Sequence, residues 1–304
     1  MLPHLVFDDK CIPTEHYKFV SIVDHVLLET YVLLETTYEL YLMPSCMFAC
    51  QDLIRLKVYK CLLQPPSTFK GFKSLRIHCI ENVSLDQEML ENFTSCSLLE
   101  GLTLKDCHGF QQLKIDAPNL RFLLFTGDWF CRSTNSLKSF ADLPHIQRLS
   151  ISNSFTKYLA AGSLLQKLPL PCLHLNFFTL SICYNDLEDF LTALCLLKSS
   201  PALKELNIFA FGRRHYQANA GKVNYWVDEN QSCSFTHLRH VKIYNFLTVE
   251  LAIDFVNFLL LSSPALETMS LYQDKSVPSH DGFDLAKTLL RFPRASLKLE
   301  IILL

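Results

Sequence analysis

Glycine and proline are sparse, with 8 and 13 among 304 residues. A disordered or low-complexity chain would hold many more. Charge is sparse too: charged residues make up 19% and balance to −2. A nucleic-acid binder is ordinarily basic, so that class is not expected. Long apolar runs are missing. The most apolar stretch, 255–261 (FVNFLLL), is far too short to span a bilayer. The opening MLPHLVFDDK has no basic segment leading into an apolar one, so no secretory signal is read there. The expectation is a soluble chain of the cytoplasm or nucleus, without membrane contact.

Signatures of chemistry are also missing. There is no phosphate loop, GxGxxG, HExxH or GxSxG. Twelve cysteines are present, but none forms a CxxC pair. They read as reduced, buried small hydrophobes rather than a disulfide framework or a zinc set. His237 and His240 lie three apart at a strand start and would face opposite sides of that strand, which is poor ligand geometry. No catalytic residue, cofactor or metal is expected, and the chain reads as a non-enzyme.

What the sequence does have is a repeat. An apolar residue, two others, an apolar residue, one other and a third apolar residue recur at Leu53-Leu56-Val58, Phe72-Leu75-Ile77, Leu99-Leu102-Leu104 and Leu120-Leu123-Phe125. The series continues at Ile146-Leu149-Ile151, Leu175-Phe178-Leu180, Leu203-Leu206-Ile208, Leu238-Val241-Ile243 and Leu266-Met269-Leu271. The steps between starting residues are 19, 27, 21, 26, 29, 28, 35 and 28, mostly in or near the leucine-rich-repeat range. The last two apolar residues of each triplet are two apart, so both point to one face of a strand. One strand per repeat stacks into a parallel ladder, stable only because its neighbours bury its apolar face. An extra match, Phe110-Leu113-Ile115, falls midway between two steps and belongs on the opposite side.

Three stretches beginning at Asp86, Asp186 and Val249 carry apolar residues three and four apart, such as Phe190, Leu191, Leu194 and Leu197. Each reads as an amphipathic helix that stops at a serine-rich turn and leads into a strand. The sequence SSPAL recurs identically at 199–203 and 262–266, and its proline cannot continue a helix. The fold expected is an α/β leucine-rich-repeat solenoid. Its curved parallel ladder would line the concave face, with helices and irregular segments on the convex face.

Particular segments resemble the plant F-box/leucine-rich-repeat proteins that end in an FBD module. The most specific is the closing LAKTLLRFPRASLKLEIILL, with FTHLRHVKIYNF and FVNFLLLSSPALETMSL before it. Tyr225-Trp226, the segment 44–53 (PSCMFACQDL), the segment 65–72 (PPSTFKGF) and the segment 115–120 (IDAPNL) also resemble that family. The resemblance implies three parts: 1–43, a remnant after a missing F-box with an atypical N-terminal cap; 44–224, leucine-rich repeats; and 225–304, an FBD-like module continuing the solenoid. In the family an F-box precedes the motif seen here as Pro3 to Asp9, and 26–41 repeats VLLET where relatives have further repeats. The resemblance implies a substrate receptor of a cullin–RING ubiquitin ligase, with a Skp-type adaptor as partner only where an F-box stands upstream. Two other readings stay open: an F-box-less binder or competitor with no ligase role, and a receptor for a hormone or inositol phosphate.

Residues between the inward apolar ones should face the concave surface. Nine repeats place Arg55, Lys57, Arg76, Lys105, Arg148 and Lys242 there against Glu205, a net of +5. With Tyr59, His78, His240, Tyr244 and Tyr272, they form the expected partner-binding set, joined by Phe122 and Phe209. Such a surface suits an acidic peptide or a phosphorylated motif of a target protein. The same residues would equally suit an ordinary solvated strand face. The insertion 209–234 breaks the spacing and reads as an exposed loop carrying Arg213, Arg214 and His215, with Trp226 packing at its junction.

Overall fold

The computed structural model describes residues 5–7, 31–35, 41–43, 45–127, 143–152, 156, 171–183, 186–212, 233–273 and 279–304. Arg213, Arg214, His215, Tyr225 and Trp226 lie outside them. The chain divides into two compact units, 1–146 and 147–304.

In the first unit, β1 (Leu5–Phe7), β2 (Tyr31–Glu35), β4 (Arg55–Tyr59), β6 (Ile77–Glu81), β7 (Gly101–Lys105) and β8 (Phe122–Thr126) pair in that order, all parallel. A short parallel pair, β3 (Tyr41–Leu42) with β5 (Cys61–Leu62), lies beside the ladder, and helix α1 spans Gln87–Thr94. In the second unit, β9 (Arg148–Ile151), β10 (Phe177–Cys183), β11 (Glu205–Phe211), β12 (His240–Phe246), β13 (Thr268–Gln273) and β14 (Glu300–Leu303) pair parallel in sequence order. Three helices accompany them: α2 (Leu187–Lys198), α3 (Glu250–Ser262) and α4 (Ser279–Arg291). Each unit is thus a run of leucine-rich repeats, as the spacing led one to expect.

The local physics recurs in most repeats. The first leucine-type residue closes a turn: Leu99, Leu120, Leu175, Leu203, Leu238 and Leu266 each donate their N–H to the carbonyl three residues back. The next carbonyl is shared. Ile54 accepts from both Arg76 and Ile77, Arg76 from Glu100 and Gly101, Asn176 from Lys204 and Glu205, and Lys204 from Arg239 and His240. Along the strand, burial then alternates, as in β10 and in β11 over Glu205–Ala210, so one face is core and the other is open.

Strand exits in the first unit are equally regular. Lys60, Asn82, Asp106 and Gly127 all have positive φ, and each directly follows a ladder strand. The N–H groups of Lys60, Asn82 and Asp106 donate to Glu81, Lys105 and Thr126 of the next strand at 2.8–3.0 Å. A side chain at Gly127 would put its Cβ 2.8 Å from the Asp106 Cα, so glycine is required there.

The helices begin and end as read. Asp86 caps α1 by accepting from the Met89 N–H at 2.7 Å, and Asp186 caps α2 by accepting from Glu188 at 3.1 Å. At the end of α2, the Ser199 and Ser200 hydroxyls donate back to the Cys195 and Leu196 carbonyls, both at 2.7 Å. These serines satisfy carbonyls that the ended helix leaves open, and Pro201 follows. Phe110, Leu113 and Ile115 are buried in the return segment between β7 and β8.

One register departs from the sequence reading. Leu56 of β4 stands opposite His78, not Ile77, and His78 stands opposite Leu102. The triplet is therefore Leu75-His78-Ile80, with a histidine in a leucine place. The first three steps become 22, 24 and 21 residues, more even than the pattern search suggested. His78 packs edge-on against Phe72 and Phe93, and Phe69 joins these two with Phe48 in one buried ring cluster.

Candidate open-face binding surface

The open face collects the residues between the buried ones. In the first unit Arg55, Lys57 and Tyr59 lie on it along β4, and Lys105 ends β7. The Lys60 ammonium sits 5.4 Å from the centre of the Tyr59 ring. Arg76 and His78 do not join them. Arg76 precedes β6, is exposed, and pairs with Glu100 at 2.8 Å. His78 is 1% exposed. Its Nδ1 lies 3.4 Å from the Phe93 carbonyl, and its Nε2 has no partner. Burial holds this imidazole down at about 4, so it is neutral at physiological pH. The one-residue shift puts Ile77, Cys79 and Glu81 on the face instead. The Cys79 thiol donates to Glu81 at 3.3 Å, and burial followed by this carboxylate pushes it up to about 12.

In the second unit Arg148 opens β9, with its guanidinium 5.3 Å from the centre of the Phe177 ring. His240 shares a hydrogen bond with the Thr268 hydroxyl at 3.0 Å, and its other nitrogen lies 3.9 Å from Glu267. Lys242 pairs with Glu205 across neighbouring strands at 3.4 Å. Above them Phe209, Tyr244 and Tyr272 form a continuous stack. Their ring centres are 4.6 and 4.5 Å apart and their planes lie within 13° of parallel. The stack follows from topology: Phe209 pairs with Tyr244 in register, and Tyr244 and Tyr272 each follow the last in-register pair of β12 and β13, Ile243 with Leu271. Phe209 and Phe211 are 43% and 42% exposed, so the aromatic surface remains available.

The charge of this face is lower than the sequence reading gave. On the described strands β4 and β6 to β14, Arg55, Lys57, Lys105, Arg148 and Lys242 face Glu81, Glu205 and Glu300. Five cations against three carboxylates leave +2, not +5. Over β4, β6, β7 and β8 the excess lies in the first unit, where three cations meet the one carboxylate Glu81. In the second unit the charges cancel. Phe177, Phe211, Glu81 and Glu300 belong to the face but not to the expected set. The left-handed residue after each strand marks the register that would have revealed Glu81, since Asn82 aligns with Lys60 and Asp106.

Among the described residues no three or more His, Cys, Asp or Glu side chains form a metal-holding group. Nine of the described cysteines take part in no disulfide, and burial pushes Cys61 and Cys107 up to about 12 and Cys172 and Cys195 to about 11. Such thiols are inert fillers of small space. No described helix is long and apolar enough to cross a membrane.

No family model matches the chain. Two curated relatives from Arabidopsis thaliana do. One, an F-box/FBD/LRR-repeat protein, is 29% identical over 86% of this chain and 70% of its own length. A second F-box/FBD/LRR-repeat protein is 26% identical over 55% of this chain and 41% of its own length. In its ladder of leucine-rich repeats and in these two relatives, the chain is similar to plant F-box/FBD/LRR-repeat proteins.

Proposed function

We propose that the chain recognises a target protein on the open face of its ladder and, as part of an F-box-type receptor, presents it to a cullin–RING ubiquitin ligase. The observation that carries the reading is the ring stack of Phe209, Tyr244 and Tyr272, set beside His240 and Lys242 on a rigid sheet. Tyrosine, tryptophan and arginine dominate binding hot spots because they bury large areas at little entropic cost. Ring edges and tyrosine hydroxyls suit the acceptor oxygens of an acidic or phosphorylated segment, and in the first unit the cations Arg55, Lys57 and Lys105 favour such a segment in their own right. Contact with a Skp-type adaptor would be the work of an F-box.

The test is a comparison. The chain and its Tyr244→Ala/Tyr272→Ala variant capture proteins from the source tissue, and a protein retained only by the unaltered chain is taken to calorimetry. The variant should bind it about tenfold more weakly or worse. Equal affinity would remove the open face from the reading. The ligase half is checked separately, by asking whether that target gains ubiquitin when an F-box is fused ahead of the chain.

A further inference from the structure

The second unit closes on β14, which pairs with β13 along one edge. No described strand pairs with the other edge. Glu300 and Leu304 donate their N–H groups to the Glu267 and Leu271 carbonyls of the β13 side at 2.9 and 3.0 Å. Alternation along the strand therefore turns the N–H and C=O groups of Ile301 and Leu303 toward the open edge. Their side chains are poorly covered as well. Ile301 and Leu303 stand opposite Met269 and Leu271, which are fully buried, yet both remain half-exposed. Leu290 and Leu297, in the segment just before, are 74% and 102% exposed. A strand edge left without a partner strand ordinarily turns a polar face to water. This one offers apolar side chains and unpaired backbone. Edge strands are often blunted by charge; here Glu300 opens the strand and Ile301 to Leu303 carry none.

On the path into β14 the charge is of one sign, while Glu300 opens the strand itself. Arg291, Arg294 and Lys298 are all exposed on the path from α4 into β14, and residues 287–299 contain no Asp or Glu. Arg291 also sits in the last turn of α4, where a cation favours the helix end. Arg294 and Lys298 have no such role.

We propose that this edge docks an extended acidic segment of a partner protein, which adds to β14 as the next strand. Strand addition satisfies the outward backbone groups of Ile301 and Leu303, and alternate apolar side chains of the partner cover theirs. Its carboxylates meet Arg291, Arg294 and Lys298. Charge selects this occupant over a second copy of the chain, which would bring two sets of the same three cations together. The inference is independent of the open face and of the ligase reading.

A labelled synthetic peptide alternating glutamate with valine, and its lysine–valine counterpart, test it on the full chain by fluorescence anisotropy and amide hydrogen exchange. The glutamate peptide should bind and slow exchange at Ile301 and Leu303, and the lysine peptide should do neither. The surface variant Arg291→Glu/Arg294→Glu/Lys298→Glu should lose about tenfold or more in affinity. Leu303→Pro, at an edge position where proline is tolerated, should abolish the protection at Ile301. Equal binding of both peptides, or a triple variant that binds as before, overturns the proposal. So does a concentration-dependent dimer of the chain alone that protects the same two amides, because the occupant would then be a second copy.

Discussion

In the first unit the aromatic rings meet beneath the ladder; in the second, three of them meet on top of it. Phe48, Phe69, Phe72 and Phe93 touch one another at 5.1–6.4 Å inside the first unit, around α1. Phe209, Tyr244 and Tyr272 stack at 4.5–4.6 Å on the open side of the second. The second unit has rings in its core too, with Phe190 edge-on to Phe255, but its long helices supply mostly aliphatic side chains. The first unit has one short described α-helix and a 3-10 turn at Ser45–Ala49, and its rings pack where the two meet. The same side-chain type thus serves stability in one unit and remains accessible for binding in the other. Charge divides differently: the first unit's open face is cationic, while the second's is neutral and aromatic.

The comparison breaks most visibly at Phe93. Phe93→Ala should cost about 3–5 kcal/mol, read by urea unfolding together with faster amide exchange in β6 and β7. A loss below about 1 kcal/mol would mean that the rings are not a common core.

Next in size is pH. His78 is held down from 6.5 to about 4 by burial, so the unfolded chain takes up its proton more readily. Stability from this group is complete above 6.5 and is lost as pH falls toward 4, by about 3 kcal/mol in all. His78→Leu should flatten that slope and raise stability at neutral pH, because it also removes an unpaired buried nitrogen. A first unit whose melting temperature is level across this window would sink the argument.

The smallest effect belongs to Arg76. Its pair with Glu100 is exposed on both sides, so Arg76→Ala should change stability by less than about 0.5 kcal/mol. It should leave partner binding unaltered, since Arg76 lies off the open face. Thermal melting and calorimetry check the two halves.

Most of the ladder was legible because leucine-type residues hold eight of nine triplets in place. The exception has a physical cause. His78 occupies a core position that a pattern search treats as polar, and Ile77, on the open face, completes a false triplet one residue early. β14 was illegible as a ladder step for a similar reason: Lys298 stands opposite Leu266, so the first apolar position is absent. Helices α1, α2 and α3 were readable from spacing and their serine stops. The charge of the open face was overstated because the slip at β6 counted Arg76 and missed Glu81, and because β14 with Glu300 went unread. The ring stack was foreshadowed as three aromatic positions, but their contact needed the strand register.

The shared carbonyls at the head of each strand carry a further consequence. From Leu99 to Leu120 the chain takes 21 residues to return, and from Leu203 to Leu238 it takes 35. Arg121 and Phe122 nevertheless meet the Glu100 carbonyl as Arg239 and His240 meet that of Lys204. Length is free between strands and fixed at the strand. A lineage of such proteins can lengthen, shorten or rewrite its returns without moving one residue of the surface that meets a partner, and can change that surface one side chain at a time without disturbing the returns.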